Sequence, residues 1–104
     1  MNEFGIKESD FNFLINTFRK YEHINKVIIF GSRAKGNFND RSDIDLVIQK
    51  SNISRQFIGR IISEINESNF PFTVDLQIYE KLKNEMLISH INRVGKVIYT
   101  KDWV

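Results

Sequence analysis

The sequence of 104 residues contains no cysteine and only one proline. The absence of cysteine excludes a disulfide framework and any zinc site built on thiolates, and it is compatible with a reducing cytoplasm. No apolar run approaches the about 20 residues that a membrane-spanning helix needs, and Met1–Gly5 lacks the basic start of a signal peptide. We therefore expect a cytoplasmic protein that does not act at a membrane.

Charge of neither sign dominates the sequence. Fifteen basic and 13 acidic residues leave a formal net charge of +2. This balance permits a nucleic-acid partner without requiring one, because a strongly basic surface is the electrostatic footprint of nucleic-acid binding. With 41% hydrophobic and 27% charged residues, the composition is that of an ordered globular protein. We expect one domain over residues 1–104, since this length is near the common domain size.

The hydrophobic pattern alternates between helical and strand-like periods. Apolar residues at intervals of three and four indicate helices, and short β-branched runs indicate strands. In chain order, the predicted elements are helix 8–21, strand 26–30, a polar loop 32–42 with at most a short helical turn, strand 43–49, a helix capped by Ser54, strand 73–79, helix 82–94 and strand 96–100.

This order of elements predicts an α/β (α+β) fold built on a small mixed β-sheet of three to four strands. Strands 43–49 and 73–79 are joined by a helix, so they should be parallel, with a right-handed crossover. If strand 26–30 is antiparallel to strand 43–49, its end meets Asp43. The alternation leaves one apolar face for the helices, so we expect them to pack on one face of the sheet.

This topology gathers three carboxylates, those of Asp43, Asp45 and Asp75. Asp43 and Asp45 are separated by one residue on a strand, so their side chains leave the same face. Close carboxylates repel one another and raise one another's pKa values, and a divalent cation removes this repulsion. Oxygen-only ligands suit Mg²⁺ or Mn²⁺, and two such ions about 3.5–4 Å apart can activate an attacking oxygen and stabilise a leaving pyrophosphate.

A glycine–serine turn, Gly31-Ser32, arrives at the same end of the predicted sheet. Glycine lets a backbone approach phosphates closely, and a serine hydroxyl can donate to them. Arg33, Lys35 and Arg41 place positive charge in the same loop, although a solvated loop would account for them equally well. Together with the acids, these residues indicate phosphoryl or nucleotidyl transfer, in which catalysis rests on positioning and charge stabilisation.

A known family shares this arrangement. Gly31-Ser32, ten residues, and then Asp43-Ile44-Asp45 resembles the signature of the DNA polymerase β-like nucleotidyltransferase superfamily. The fuller stretches 31–36 and 42–46 are similar to those of its minimal nucleotidyltransferase (MNT) branch, and Val74-Asp75-Leu76 corresponds to the place of the family's third acid. The resemblance implies the polymerase β-like nucleotidyltransferase fold, with Mg²⁺ or Mn²⁺ as cofactor and ATP as substrate.

The resemblance also implies a role for each matched residue. The catalytic acids and metal ligands would be Asp43, Asp45 and Asp75, the last of which would also activate the acceptor hydroxyl. The nucleotide contacts would be the residues of the turn and of the loop after it: Gly31, Ser32, Arg33 and Lys35.

The MNT branch further implies a partner. Such proteins typically pair with a HEPN-domain ribonuclease toxin and neutralise it by adding AMP to a toxin tyrosine. The resemblance therefore implies an antitoxin that transfers AMP from ATP to a HEPN toxin, with no requirement for nucleic acid. The short chain agrees with this, because the partner could supply the surface that binds the acceptor.

Two alternatives remain open at this stage. A small-molecule nucleotidyltransferase, similar to those that modify aminoglycosides, would need an added acceptor-binding region or oligomerisation. A non-catalytic module that blocks a toxin by binding alone would not need all three acids.

The remaining polar and aromatic candidates are weaker. We interpret His23 and His90 as ordinary helix-end or surface histidines, because neither has a cluster of metal ligands near it in the sequence. Phe72, Tyr79 or Trp103 could stack on a base, but aromatic residues near strand ends more often belong to the core.

Overall fold

The structure is a computed structural model that describes residues 1–102, so Trp103 lies outside the described residues. In chain order, its elements are α1 (Glu8–Arg19), β1 (Lys26–Phe30), α2 (Gly31–Lys35), β2 (Ile44–Gln49), α3 (Arg55–Glu67), β3 (Val74–Ile78), a 3₁₀ turn (Tyr79–Lys81), α4 (Glu85–Val94) and β4 (Lys96–Thr100). None of the helices within residues 1–102 is both long and apolar enough to cross a bilayer.

The strands lie within one residue of their predicted bounds, whereas two helices are shorter than predicted. α1 ends at Arg19, and a tighter turn follows in which the Tyr21 N–H donates to the Phe18 carbonyl at 3.0 Å. α4 begins only after Asn84, because Leu82 is extended and the Asn84 side chain caps the helix by accepting from the N–H groups of Met86 and Leu87. The predicted cap of α3 is confirmed, since Ser54 accepts a hydrogen bond from the Phe57 N–H.

The four strands form one mixed sheet with the order β3-β2-β1-β4. β1 pairs antiparallel with both β2 and β4, and β2 pairs parallel with β3, so both predicted pairings are confirmed. The register sets Asp45 opposite Phe30 on one side and opposite Asp75 on the other. The end of β1 and the starts of β2 and β3 therefore meet at one end of the sheet.

The main core lies on the face of the sheet that α1 and α3 cover. Leu46 and Ile48 of β2 alternate onto this face together with Ile29 of β1, and all three are fully buried. The helices bury Leu14, Phe18, Ile61 and Ile65 against them. This apolar layer fixes the face of each strand, because a shift of one residue would turn every side chain to the opposite side.

The opposite face carries a second, smaller core, which corrects one part of the predicted fold. Phe30 and Val47 point to this face and pack against Ile91 of α4. The α+β class and the mixed four-stranded sheet are confirmed, but the helices do not all pack on one face, because α4 lies on the other. The physical reason is that Val47 and Phe30 are apolar at positions of the otherwise polar face and need a cover.

We expect Leu46→Ala to lower the free energy of unfolding by about 2–5 kcal/mol, because it leaves a cavity in the main core. Met86→Ala is the control, since Met86 is 84% exposed on α4, and its effect should stay within about 0.5 kcal/mol. Urea denaturation followed by circular dichroism measures both. Equal effects for the two variants would contradict the assignment of the core.

Candidate active site

The three predicted acids lie at one end of the sheet. Asp43 immediately precedes β2, Asp45 lies on β2, and Asp75 lies on β3. The parallel register makes Asp45 and Asp75 direct neighbours, and Asp43 shares their face because it lies two residues before Asp45. This is the face that α4 covers in part. Asp43 and Asp75 are exposed, and Asp45 is half-buried.

The Asp45 carboxyl is the electrostatic centre of this group. Burial raises its pKa above the ordinary value, and the neighbouring Asp75 and Asp43 carboxylates raise it further. Both causes of the increase oppose ionisation. A cation placed among the acids would be stabilised by the same charges that repel one another in its absence.

The carboxylates lie on neighbouring positions of the sheet, but within residues 1–102 no three such side chains are arranged to hold a metal ion by themselves. Asp75 Oδ2 accepts a hydrogen bond from Gln77 Nε2 at 3.0 Å, whereas the Asp45 carboxylate lies against Gly31. An open set of carboxylate oxygens fits a hard divalent cation that takes its other ligands from water and phosphate. The oxygen chemistry of Asp43, Asp45 and Asp75 suits the predicted cation, and these three acids remain its predicted ligands.

Gly31 is held against Asp45 at the junction of β1 and α2. Its φ of +73° lies in the left-handed region that favours glycine. A Cβ built on Gly31 would overlap the Asp45 carboxylate. Two independent reasons therefore require glycine at position 31: the left-handed backbone conformation and the lack of space for a Cβ beside the Asp45 carboxylate. Ser32 follows in the first turn of α2, where the sequence predicted a loop or at most a helical turn.

The structure removes Arg33 from the predicted nucleotide contacts. Its side chain is only 1% exposed and is stacked between the rings of Phe38 and Phe72, with its Cζ atom 5.2 and 4.8 Å from their centroids. The guanidinium donates to the Ser42 carbonyl at 3.0 and 2.9 Å and to the Phe4 carbonyl at 2.8 Å. Because these N–H groups are directed at backbone carbonyls inside the protein, Arg33 holds the active-site loop in place and is not free to meet a phosphate.

Lys35 and Arg41 have the opposite environment. Both side chains are exposed, and neither forms a salt bridge within residues 1–102. Lys35 ends α2, one short helix away from Gly31 and Ser32. The position of Lys35 thus remains compatible with the predicted phosphate contact, whereas the position of Arg33 is not compatible with it.

His90 is a site residue that the sequence analysis missed. Its Nε2 accepts a hydrogen bond from the Gly31 N–H at 3.1 Å, and its ring meets the Phe30 ring edge-on with the centroids 6.1 Å apart. The interpretation of His90 as an ordinary surface histidine is therefore wrong. The signal that could have found it is the helical period, which sets His90 beside Leu87 and Ile91 on the face of α4 that packs on the sheet.

The aromatic candidates for base stacking are engaged elsewhere. Phe72 packs against the Arg33 guanidinium and the main core, as described above. Tyr79 belongs to the second core, and its hydroxyl donates to Asn92 Oδ1 at 3.0 Å. These contacts agree with the interpretation that aromatic residues near the strand ends are part of the core.

Residues 12–103 match the family described as Polymerase beta, Nucleotidyltransferase. This match spans most of the chain, and the protein therefore belongs to the polymerase β nucleotidyltransferase family. Members of this family generally use a nucleoside triphosphate and a divalent metal. None of the curated proteins matches the chain in sequence.

Solved structures from toxin–antitoxin complexes have the same fold. A chain of a toxin–antitoxin complex with AMP-PNP has a TM-score of 0.68 at 16% identity, over 93% of this chain and 76% of that chain. A chain of a mutant of the toxin–antitoxin MntA–HpeT has a TM-score of 0.70 at 16% identity, over 88% of this chain and 74% of that chain. A chain of the complex of a tri-AMPylated Shewanella oneidensis HEPN toxin with an MNT antitoxin has a TM-score of 0.67 at 15% identity, over 92% of this chain and 74% of that chain. At such identities the likeness establishes the fold.

We expect Arg33→Ala to lower the free energy of unfolding by about 1–3 kcal/mol, because the buried carbonyls of Phe4 and Ser42 lose their donors. Arg33→Lys should not restore the loss, since an ammonium cannot reproduce the planar fork. Lys35→Ala, on the exposed end of α2, is the control and should change stability by less than about 0.5 kcal/mol. Unchanged unfolding of Arg33→Ala in urea would contradict its structural role.

A second prediction concerns the space beside Asp45. Gly31→Ala should displace the Asp45 carboxylate and abolish the binding of Mg²⁺-ATP, measured by isothermal titration calorimetry. Gly36→Ala is the matched control, because Gly36 also has a positive φ (+90°) but a Cβ there meets nothing within 4 Å. It should carry only the left-handed backbone cost of about 1–2 kcal/mol and still bind nucleotide. Equal nucleotide affinities of the two variants would refute the spatial argument.

Proposed function

We propose that the protein is a Mg²⁺-dependent nucleotidyltransferase that moves AMP from ATP to an acceptor hydroxyl of a HEPN-domain toxin and thereby acts as its antitoxin. The observation that carries this proposal is the pairing of Asp45 with Asp75 on adjacent strands, with Asp43 on the same face and the Gly31-Ser32 turn against Asp45. The fold of the toxin–antitoxin complexes supports it.

In the proposed reaction, an acceptor oxygen attacks the α-phosphorus of ATP, and the bond from that phosphorus to the bridging oxygen of pyrophosphate breaks. Ser32 donates to the triphosphate, and Gly31 provides the room for it beside Asp45. Asp75, whose Oδ2 accepts a hydrogen bond from Gln77 Nε2, accepts the proton of the attacking hydroxyl. Asp43, Asp45 and Asp75 would hold a divalent cation, which would neutralise phosphate charge and lower the pKa of the acceptor hydroxyl.

Two features of the toxin–antitoxin complexes favour ATP and a protein acceptor. One complex contains AMP-PNP, an ATP analogue, and in another the HEPN toxin is tri-AMPylated and bound to its MNT antitoxin. Those proteins thus combine an adenine nucleotide, AMP transfer and a toxin partner on the fold that this chain shares. In the proposed reaction, the partner supplies the acceptor hydroxyl.

The proposal is tested by transfer of label from ATP carrying radioactive phosphorus at the α position. The protein is incubated with Mg²⁺ and a co-expressed HEPN partner, and the Asp43→Asn/Asp45→Asn variant is compared with wild type. We expect label on the partner, reduced by about 100-fold or more in the variant, because the neutral amides no longer hold the cation that would neutralise the triphosphate. Chelation of the metal should abolish labelling.

The matched control is Asp10→Asn, since Asp10 lies on α1, across the sheet from the acids, and should label the partner like wild type. Absence of label together with neutralisation of the toxin by the double variant would contradict the enzymatic antitoxin and support a module that acts by binding alone. Transfer of label to aminoglycosides in place of the partner would support a small-molecule nucleotidyltransferase.

A further inference from the structure

The Gly31 N–H is the first donor of α2, and it has a side-chain partner from a distant element. A residue at the first position of a helix has no intrahelical acceptor for its N–H, so the group needs a partner from outside the helix. His90 Nε2 provides it at 3.1 Å, although His90 lies 59 residues further along the chain. The same ring meets Phe30, the residue just before Gly31, edge-on at 6.1 Å. One side chain of α4 thus contacts two consecutive residues of the turn.

The part of α4 that carries His90 is packed on the sheet. Its neighbour Ile91 is 2% exposed and packs with Phe30 and Val47 in the second core, which anchors α4 to the sheet at this point. Because Phe30 belongs both to this core and to the β1 register opposite Asp45, a displacement of His90 would be transmitted to the turn and to the acid beside it.

We propose that His90 is a positioning residue, which holds the Gly31 backbone so that the turn presents its open side to the triphosphate beside Asp45. The inference rests on the proposed function, because it assumes that the turn binds nucleotide. The ring acts as a hydrogen-bond acceptor through Nε2, which places the proton of the neutral imidazole on Nδ1. Because the Gly31 N–H donates to His90, it does not donate to a phosphate. Ser32 is then the residue of the turn that donates to phosphate.

The variants His90→Ala and His90→Gln separate this role from a general effect on packing. Alanine removes the acceptor, whereas the glutamine Oε1 sits at a similar distance from the backbone and can accept the Gly31 N–H. We expect His90→Ala to raise the KM for ATP by about 3- to 10-fold, the loss that corresponds to one hydrogen bond, with kcat changed by less than about twofold. His90→Gln should recover most of the affinity.

The matched control is the other histidine. His23 also meets a phenylalanine, Phe57, edge-on with centroids 6.1 Å apart, but it lies by α1 and α3, away from the turn. His23→Ala should therefore lose a similar aromatic contact and keep the wild-type KM. An equal rise in KM for both alanine variants would overturn the proposal, and so would a His90→Ala variant that loses kcat while its KM is unchanged.

A second measurement does not depend on activity. The hydrogen exchange of the Gly31 amide, followed by NMR, should be faster in His90→Ala than in wild type. In His90→Gln the exchange rate should return to about the wild-type value. If His90→Ala does not fold, the ring nitrogen shifts of wild-type His90 must show an unprotonated Nε2 that accepts a hydrogen bond; a protonated Nε2 would overturn the proposal. Failure of wild type to bind ATP would refute the proposed function instead, and the exchange of Gly31 would still decide the role of His90.

Discussion

The contact between the Asp45 carboxylate and Gly31 is the constraint on which the site depends. It requires the antiparallel pairing of β1 with β2, which sets Phe30 opposite Asp45 and so brings the next residue, Gly31, against the acid. On its other side, Asp45 is paired with Asp75 through the parallel register. The two registers together bring the Gly31-Ser32 turn and the acids to one point, and they are fixed by the apolar face that α1 and α3 bury.

Two side chains outside the acid group fix the segments around this turn. Arg33 reaches inward to the Phe4 and Ser42 carbonyls and ties the N-terminal segment to the loop that leads into β2. His90 reaches from α4 to the Gly31 N–H. The polar side chains of Arg33 and His90 thus fix the geometry of a short turn. The proposed reaction requires this, because it depends on the precise placement of a triphosphate.

The sheet and the gathering of the acids could be predicted because they follow from local rules. The alternation of β2 places Asp43 and Asp45 on one face, and the crossover rule makes β3 parallel and brings Asp75 beside them. The helical period could have placed His90 on the packed face of α4, but it could not show that His90 meets Gly31, 59 residues away. In the same way, the sequence does not reveal that the Arg33 guanidinium faces the carbonyls of Phe4 and Ser42. Only tertiary packing decides that Arg33 is buried while Lys35 is exposed.

In the proposed function, Asp43, Asp45 and the Gly31-Ser32 turn form one site for a metal-bound nucleotide. The most direct measurement is titration of Mn²⁺ by electron paramagnetic resonance, with and without AMP-PNP, on wild type and Asp45→Asn. We predict that wild type binds Mn²⁺ tightly only when the nucleotide is present, because phosphate oxygens complete the open ligand set, and that Asp45→Asn loses this binding. Binding of Mn²⁺ and AMP-PNP that is unchanged in Asp45→Asn would contradict it.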